Sequence, residues 1–285
     1  MPALQISDGR ILTYDDYGDP NGWPVLFNHG FSDSRLIRNP DKDLTASLGV
    51  RVISVDQPGV GGSSPHRGRR MVDWGADIEE LVNRLNIETF SVVGHSGGAP
   101  HALSIANKLP HRVSKIALAA PVAPLDYPGM TDLLKNPDIR LIAKIHRWQF
   151  LTRCLCRLSA YQANSNIQDY IQLFAKKDAS DAALFIRDPA LKKMFEESFS
   201  AGATQHGEGF FEMIMALWDW GFDPREITTS TKIFYGDADD IIDIKMPEYL
   251  SSIMPNSSTQ SWHQLGHYAF VNKYCWVELL KSARK

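Results

Sequence analysis

The chain has 285 residues, 44% of them hydrophobic and 22% charged, which suffices for one large domain with a sizeable core, or one domain carrying an insertion. A net charge of −3 argues against a nucleic-acid surface and a polybasic membrane anchor, and the basic knot "HRGRR" (66–70) reads as a solvated Gly-rich turn. Three cysteines, Cys154, Cys156 and Cys275, form no CxxC pair, so a disulfide framework and a zinc site are both disfavoured and a reducing cytoplasm is the expected location.

The amino-terminal "MPALQISDGRILTYDDYG" lacks a basic region followed by an apolar core, so no signal peptide is expected; its alternation around Asp8-Gly9 predicts a β-hairpin. "PVLFNHG" (24–30) and "RVISVD" (51–56) read as buried strands. Apolar residues from Trp74 through Ile78, Leu81, Val82 and Leu85 recur at helical spacing. Strand "FSVVGH", a helix from about Gly98 to Lys108 and strand "VSKIALAAP" (113–121) follow. Short β-branched runs alternating with helices predict a mostly parallel sheet covered on both faces, an α/β fold.

After Pro121 the alternation stops. "LIAKIHRWQFLTRCLCRL", "IQDYIQLFAKK", "PALKKMFEESF" and "EGFFEMIMALWDW" are helically spaced, with no convincing strand across 122–227. The strand–helix rhythm returns in "TKIFYGDADDI", "MPEYLSSIM", "SSTQSWHQ" and a closing helix from about Tyr268 to Lys281. The expected organisation is a core of residues 1–121 and 228–285, with 122–227 inserted as a helical cap over the strand ends. No apolar run approaches a membrane span.

Gly94-His95-Ser96-Gly97-Gly98 interrupts a strand and opens a helix, the context in which G-x-S-x-G carries a nucleophile on a strained turn. An ordinary Gly-rich turn is the plain alternative. A serine hydroxyl is a weak nucleophile at pH 7 and needs a histidine base oriented by a carboxylate. Asp239 in "FYGDADDII" and His267 in "HQLGHYAF" follow strands, in the order serine, acid, histidine, at the carboxyl edge of the sheet where ligands collect. The Gly97 N–H, directly after the serine, is a candidate oxyanion donor. Asp237, Asp240 and Asp243 crowd Asp239 and read as turn or cap residues; Asp126, just past the end of strand 113–121, is a rival acid; Asp56 reads as a turn pin. His29, His95 and His101 are expected to stabilise loops, and His263 has no motif around it. The glycines of "DQPGVGG" do not fit a nucleotide fingerprint.

With "HGF", "DQPGVGGSS", "GHSGG", the helical insertion, "GDAD" and "GH", the chain resembles the α/β-hydrolase superfamily over nearly its whole length. It looks most like the cap-bearing branch of esterases, C–C bond hydrolases, proline iminopeptidases and epoxide hydrolases. The resemblance implies Ser96 as nucleophile, His267 as base, Asp239 as its orienter, and Phe31 N–H as second oxyanion donor. Ser96 in place of an aspartate argues against epoxide hydrolysis and dehalogenation.

Aromatic and methionine residues of the cap, such as Trp148, Phe174, Phe211 and Met213, imply a mostly apolar pocket, without a cationic cluster that would call for a phosphorylated or carboxylate-rich substrate. The expected activity is a serine hydrolase of a carboxylic ester with hydrophobic parts, needing no metal or organic cofactor. The expected partner is a hydrophobic small molecule, with no nucleic acid and no membrane. C–C bond hydrolysis of a diketone, a ligand receptor retaining a slow triad, and a lyase without acylation remain alternatives.

Overall fold

The computed structural model describes residues 1–177 and 179–285. The amino terminus is the expected hairpin: β1 (Ala3–Gln5) pairs antiparallel with β2 (Ile11–Gly18), and Gly9 takes the left-handed turn position at φ +88°. Next come β3 (Trp23–Asn28), α1 (Lys42–Ser47), β4 (Val50–Val55), α2 (Trp74–Arg84), β5 (Phe90–His95), α3 (Ala99–Lys108) and β6 (Val113–Ala119). Residues 120–230 add α4 (Pro137–Lys144), α5 (Gln149–Ser165), α6 (Ile167–Lys177), α7 (Ala182–Ile186), α8 (Pro189–Gly202) and α9 (Glu208–Leu217). The chain closes with β7 (Thr231–Gly236), α10 (Lys245–Ile253), β8 (Ser257–Trp262) and α11 (Lys273–Ala283).

The eight strands form one sheet in the order β1-β2-β4-β3-β5-β6-β7-β8, parallel from β4 through β8. Their alternation divides the core in two. Leu26, Ile53, Val92 and Leu118 point to the face covered by α2 and α3. Val25, Phe27, Val52, Val93 and Ala117 point to the opposite face, where Leu279 and Leu280 of α11 pack. Burial on both faces is why these strands read as unbroken apolar runs.

Between β6 and β7 the described residues form no strand, apart from an isolated bridge between Leu134 and Ile242. The interval 122–227 expected as a cap includes residue 178, which lies outside the described residues. Two expectations shift in detail. The helically spaced run 141–158 is two helices, because the chain turns at 145–148: Trp148 N–H donates to the Ile145 carbonyl (2.8 Å) and the Thr152 hydroxyl donates to it as well (3.1 Å). The closing helix starts at Lys273 rather than Tyr268, because the Asn272 side chain caps it by accepting from Tyr274 N–H; a short 3₁₀ turn fills 269–271.

Candidate active site

Ser96 stands between β5 and α3 with φ +52°, a left-handed conformation that a side chain tolerates only when its surroundings impose it. The flanking glycines make the imposition possible. A Cβ on Gly94 would lie 2.6 Å from Ala99 Cα, and one on Gly98 would lie 2.2 Å from the Asn28 carbonyl oxygen. Strand and helix therefore close on the serine from both sides. The Ser96 carbonyl accepts from Val122 N–H at 3.3 Å, so the first residues after β6 hold the turn as well.

Asp239 and His267 meet. The Asp239 Oδ2 lies 2.7 Å from His267 Nδ1, while Oδ1 accepts from Ile241 N–H (2.7 Å) and Ile242 N–H (2.9 Å). Both side chains are buried. This arrangement puts the imidazole proton on Nδ1 and leaves Nε2 as the basic nitrogen. Ser96 and His267 line the same cavity of about 360 Å³, whose remaining wall is mostly apolar and includes Phe31, Leu158, Phe174 and Ile241. The Phe31 N–H donates to no group among the described residues, and a Cβ on Gly97 would come within 3.7 Å of it. The two candidate oxyanion donors are thus neighbours.

The rival residues have other occupations. Asp237 accepts from His263 (Nδ1, 2.8 Å) and from Gln264 N–H, an exposed pair beside the buried one; the His263 bond holds the Asp237 carboxyl below its ordinary range. Asp240 accepts from Ser180 N–H, and Asp243 from Lys245 N–H at the start of α10. Asp126 is exposed on the segment after β6. Asp56 accepts from the Thr13 hydroxyl, from Arg35 N–H and from the Arg35 guanidinium, as a turn pin should.

Three buried histidines surround the elbow, and each carries backbone. His29 Nδ1–H donates to the Gly30 carbonyl and its Nε2 accepts from Gln57 N–H. His95 Nε2–H donates to the carbonyl of His267 itself (3.2 Å), and its Nδ1 faces Asp33 Oδ2 at 3.5 Å. His101 Nδ1–H donates to the Gly97 carbonyl (2.9 Å), and Arg69 donates to its Nε2 (3.0 Å). Burial lowers the basicity of all three, most strongly for His101, where the Arg69 cation adds to the effect.

Sequence reasoning missed several supports drawn from the helical insertion. Lys135 Nζ donates to the Asp239 carbonyl (2.7 Å), and the Lys135 and Asn136 N–H groups both donate to the Ile241 carbonyl. Asp181 accepts from Tyr268 N–H, next to the candidate base. The Tyr268 ring is set among Phe185, Phe195 and Phe199. Met213 Sδ would lie 2.9 Å from a Cβ at Gly97. Lys135, Asn136, Asp181 and Met213 sit in no motif; only folding of the insertion back onto the elbow and onto the loops after β7 and β8 brings them there.

The sequence profile of the family described as "alpha/beta hydrolase fold" matches residues 24–274. The chain is 34% identical over 140 residues to a non-heme chloroperoxidase of Streptomyces lividans, a match covering 48% of this chain and about half (49%) of that protein. It is 26% identical over 282 residues to a non-heme haloperoxidase of Rhodococcus erythropolis, covering 94% and 93% of the two chains. A proline iminopeptidase of Xylella fastidiosa is 33% identical over 124 residues, 40% of this chain and 37% of that one. An esterase structure from Exiguobacterium antarcticum superposes with a TM-score of 0.70 at 21% identity, over 98% and 97% of the chains, a likeness of fold. Profile, sheet order and elbow agree, and this chain belongs to the alpha/beta hydrolase fold family.

Proposed function

We propose that the protein is a serine hydrolase that cleaves a carboxylic ester of an apolar small molecule through an acyl-enzyme. The observation that carries this reading is the buried Asp239–His267 bond of 2.7 Å, on the wall of the same apolar cavity as Ser96. Ser96 Oγ attacks the ester carbonyl while His267 Nε2 takes its proton; the imidazolium then protonates the departing alkoxide. Water repeats the sequence on the acyl-enzyme and releases the acid. The developing oxyanion is received by the N–H groups of Gly97 and Phe31. Asp239 keeps the imidazole in the tautomer that both halves require. Residues 122–227 act as the cap that excludes water and shapes the acyl site.

The test is labelling by a fluorophosphonate together with turnover of a short p-nitrophenyl ester. Wild type is expected to label and turn over, and Ser96→Ala to lose both with its circular dichroism unchanged. Labelling at another serine would overturn the assignment. Labelling without turnover of any ester would favour a ligand receptor, and turnover restricted to diketones a C–C bond hydrolase. The proline iminopeptidase of Xylella fastidiosa among the relatives supports a second reading, cleavage of an amino-acid amide. Faster cleavage of prolyl p-nitroanilide than of any ester would select it.

A further inference from the structure

Helix α5 is built inside out. Its buried stripe consists of the small residues Thr152, Cys156, Ala160 and Ala163, because backbone comes close there: a Cβ on Gly207 would lie 2.6 Å from the Cys156 carbonyl oxygen and 2.9 Å from Ala160 Cβ. The large apolar residues lie on the opposite stripe. Phe150, Cys154, Leu158 and Tyr161, at i, i+4, i+8 and i+11, all face solvent, with Phe150 83% and Tyr161 69% exposed. Trp148, one residue before the helix, is 70% exposed. Among the described residues, all but three of the exposed large apolar side chains of the molecule lie between Leu141 and Ile186. Such a concentration marks an interaction surface.

The charges identify the partner. Residues 140–157 contain Arg140, Lys144, Arg147, Arg153 and Arg157 and no carboxylate, in a chain whose net charge is −3. The cluster lies outside the cavity wall, whose lining residues include no lysine or arginine. Arg153 turns inward, over the Phe211 ring and onto Glu208, and Lys144 pairs with Asp132. Arg147 and Arg157 are exposed and make no ion pair among the described residues. A second copy would set this face against itself, cation to cation, in a two-fold dimer. A nucleic acid would satisfy the arginines and leave Leu151, Leu158 and Phe150 without a partner. A lipid surface with anionic headgroups satisfies both parts, since aromatic and aliphatic residues enter the acyl boundary while the cations remain at headgroup level.

We infer that this face docks the protein onto anionic lipid. No helix among the described residues is long and apolar enough to cross a membrane, and the inferred docking is through the exposed face of α5 and the turn before it. The docked orientation has a consequence for the cavity. Leu141 and Leu158 both line it and are just over half exposed, so they form its rim within the docking face. An apolar substrate would then pass from lipid to cavity without crossing water. The docking itself rests on the surface alone, and its readout needs no turnover.

The experiment is co-sedimentation of the whole chain with vesicles of phosphatidylcholine, and with vesicles in which about one-third is phosphatidylglycerol. Binding is expected to the anionic vesicles only, and to weaken as salt rises. Arg147→Gln and Arg157→Gln should each weaken it about fivefold at low salt. Trp148→Ser with Phe150→Ser should weaken it at least about tenfold. Both sets should leave turnover of a soluble ester as in wild type, which also shows that they fold. No binding to anionic vesicles, equal binding to both vesicles, or binding indifferent to both sets of substitutions would each overturn the inference. A solution dimer dispersed by Phe150→Ser, with no vesicle binding, would assign the face to a second copy instead.

Discussion

At the scale of single residues the site offers a natural contrast, two Asp–His pairs two and four positions apart in sequence. Asp239 and His267 are buried, and Asp237 and His263 are exposed. In Asp239→Asn, the amide oxygen would keep the Ile241 and Ile242 N–H bonds, which turns the NH₂ toward His267 Nδ1. Nδ1 must then accept, the proton moves to Nε2, and the base loses the lone pair that would take the serine proton. The expected outcome is a fall in kcat of about 10⁴, the size of the corresponding loss in the serine-protease example, with KM little changed. Asp237→Asn and Asp126→Asn should stay within a few fold of wild type in the same steady-state assay. A comparable loss at Asp126 would move the acid to the segment after β6.

Elements explain which parts of this were legible in the sequence. The strands could be read because burial on two faces writes itself as continuous β-branched runs, and the elbow because its glycines sit where backbone meets backbone. Loops after β7 and β8 could be placed at one edge because parallel strands share a direction. What could not be read depends on contacts between elements distant in sequence. Lys135 reaching the Asp239 carbonyl, Asp181 receiving Tyr268 N–H and the turn that divides 141–158 have no local pattern. The exposed stripe of α5 misleads more actively, since large apolar residues at helical spacing are ordinarily taken for core. The elbow itself permits a graded test. A Cβ at Gly98 meets two backbone carbonyls, at 2.2 Å and 2.4 Å, which cannot retreat without parting β3 from α3. A Cβ at Gly97 meets the end of Met213, which can swing away. Gly98→Ala should therefore cost more than about 3 kcal/mol in denaturant unfolding or prevent folding. Gly97→Ala should cost less, and in a Met213→Ala background, where the obstructing sulfur is gone, its added cost should be smaller than in the wild-type chain.

For the whole molecule, the three histidines that hold backbone around the elbow tie its stability to pH. His29, His95 and His101 are fully buried, and burial depresses the basicity of each below the ordinary value of 6.5. The folded protein keeps them neutral where the unfolded chain begins to protonate them. Their contribution is fully present above the unfolded value and is lost as pH falls below it, until the folded values are reached. Three protons bound only by the unfolded chain give a slope of up to about 4 kcal/mol per pH unit. Glu212 and Asp126 act in the opposite direction, since desolvation raises each carboxyl above its ordinary value so that it binds a proton on the folded side. The partly buried His66 and His146, depressed by burial like the other three, add to the slope. The depressed carboxylates, Asp8, Asp223 and Asp237 among them, matter only below their ordinary 3.8. Denaturant midpoints measured from about pH 7 down to about pH 5 should therefore fall steeply. His101→Gln, which keeps a donor near the Gly97 carbonyl but cannot titrate, should flatten the curve by up to one proton's share, about 1.4 kcal/mol per pH unit. A stability that stays level across that range would mean that the unfolded chain gains no protons over the folded one, and that the buried imidazoles open to water before the fold does.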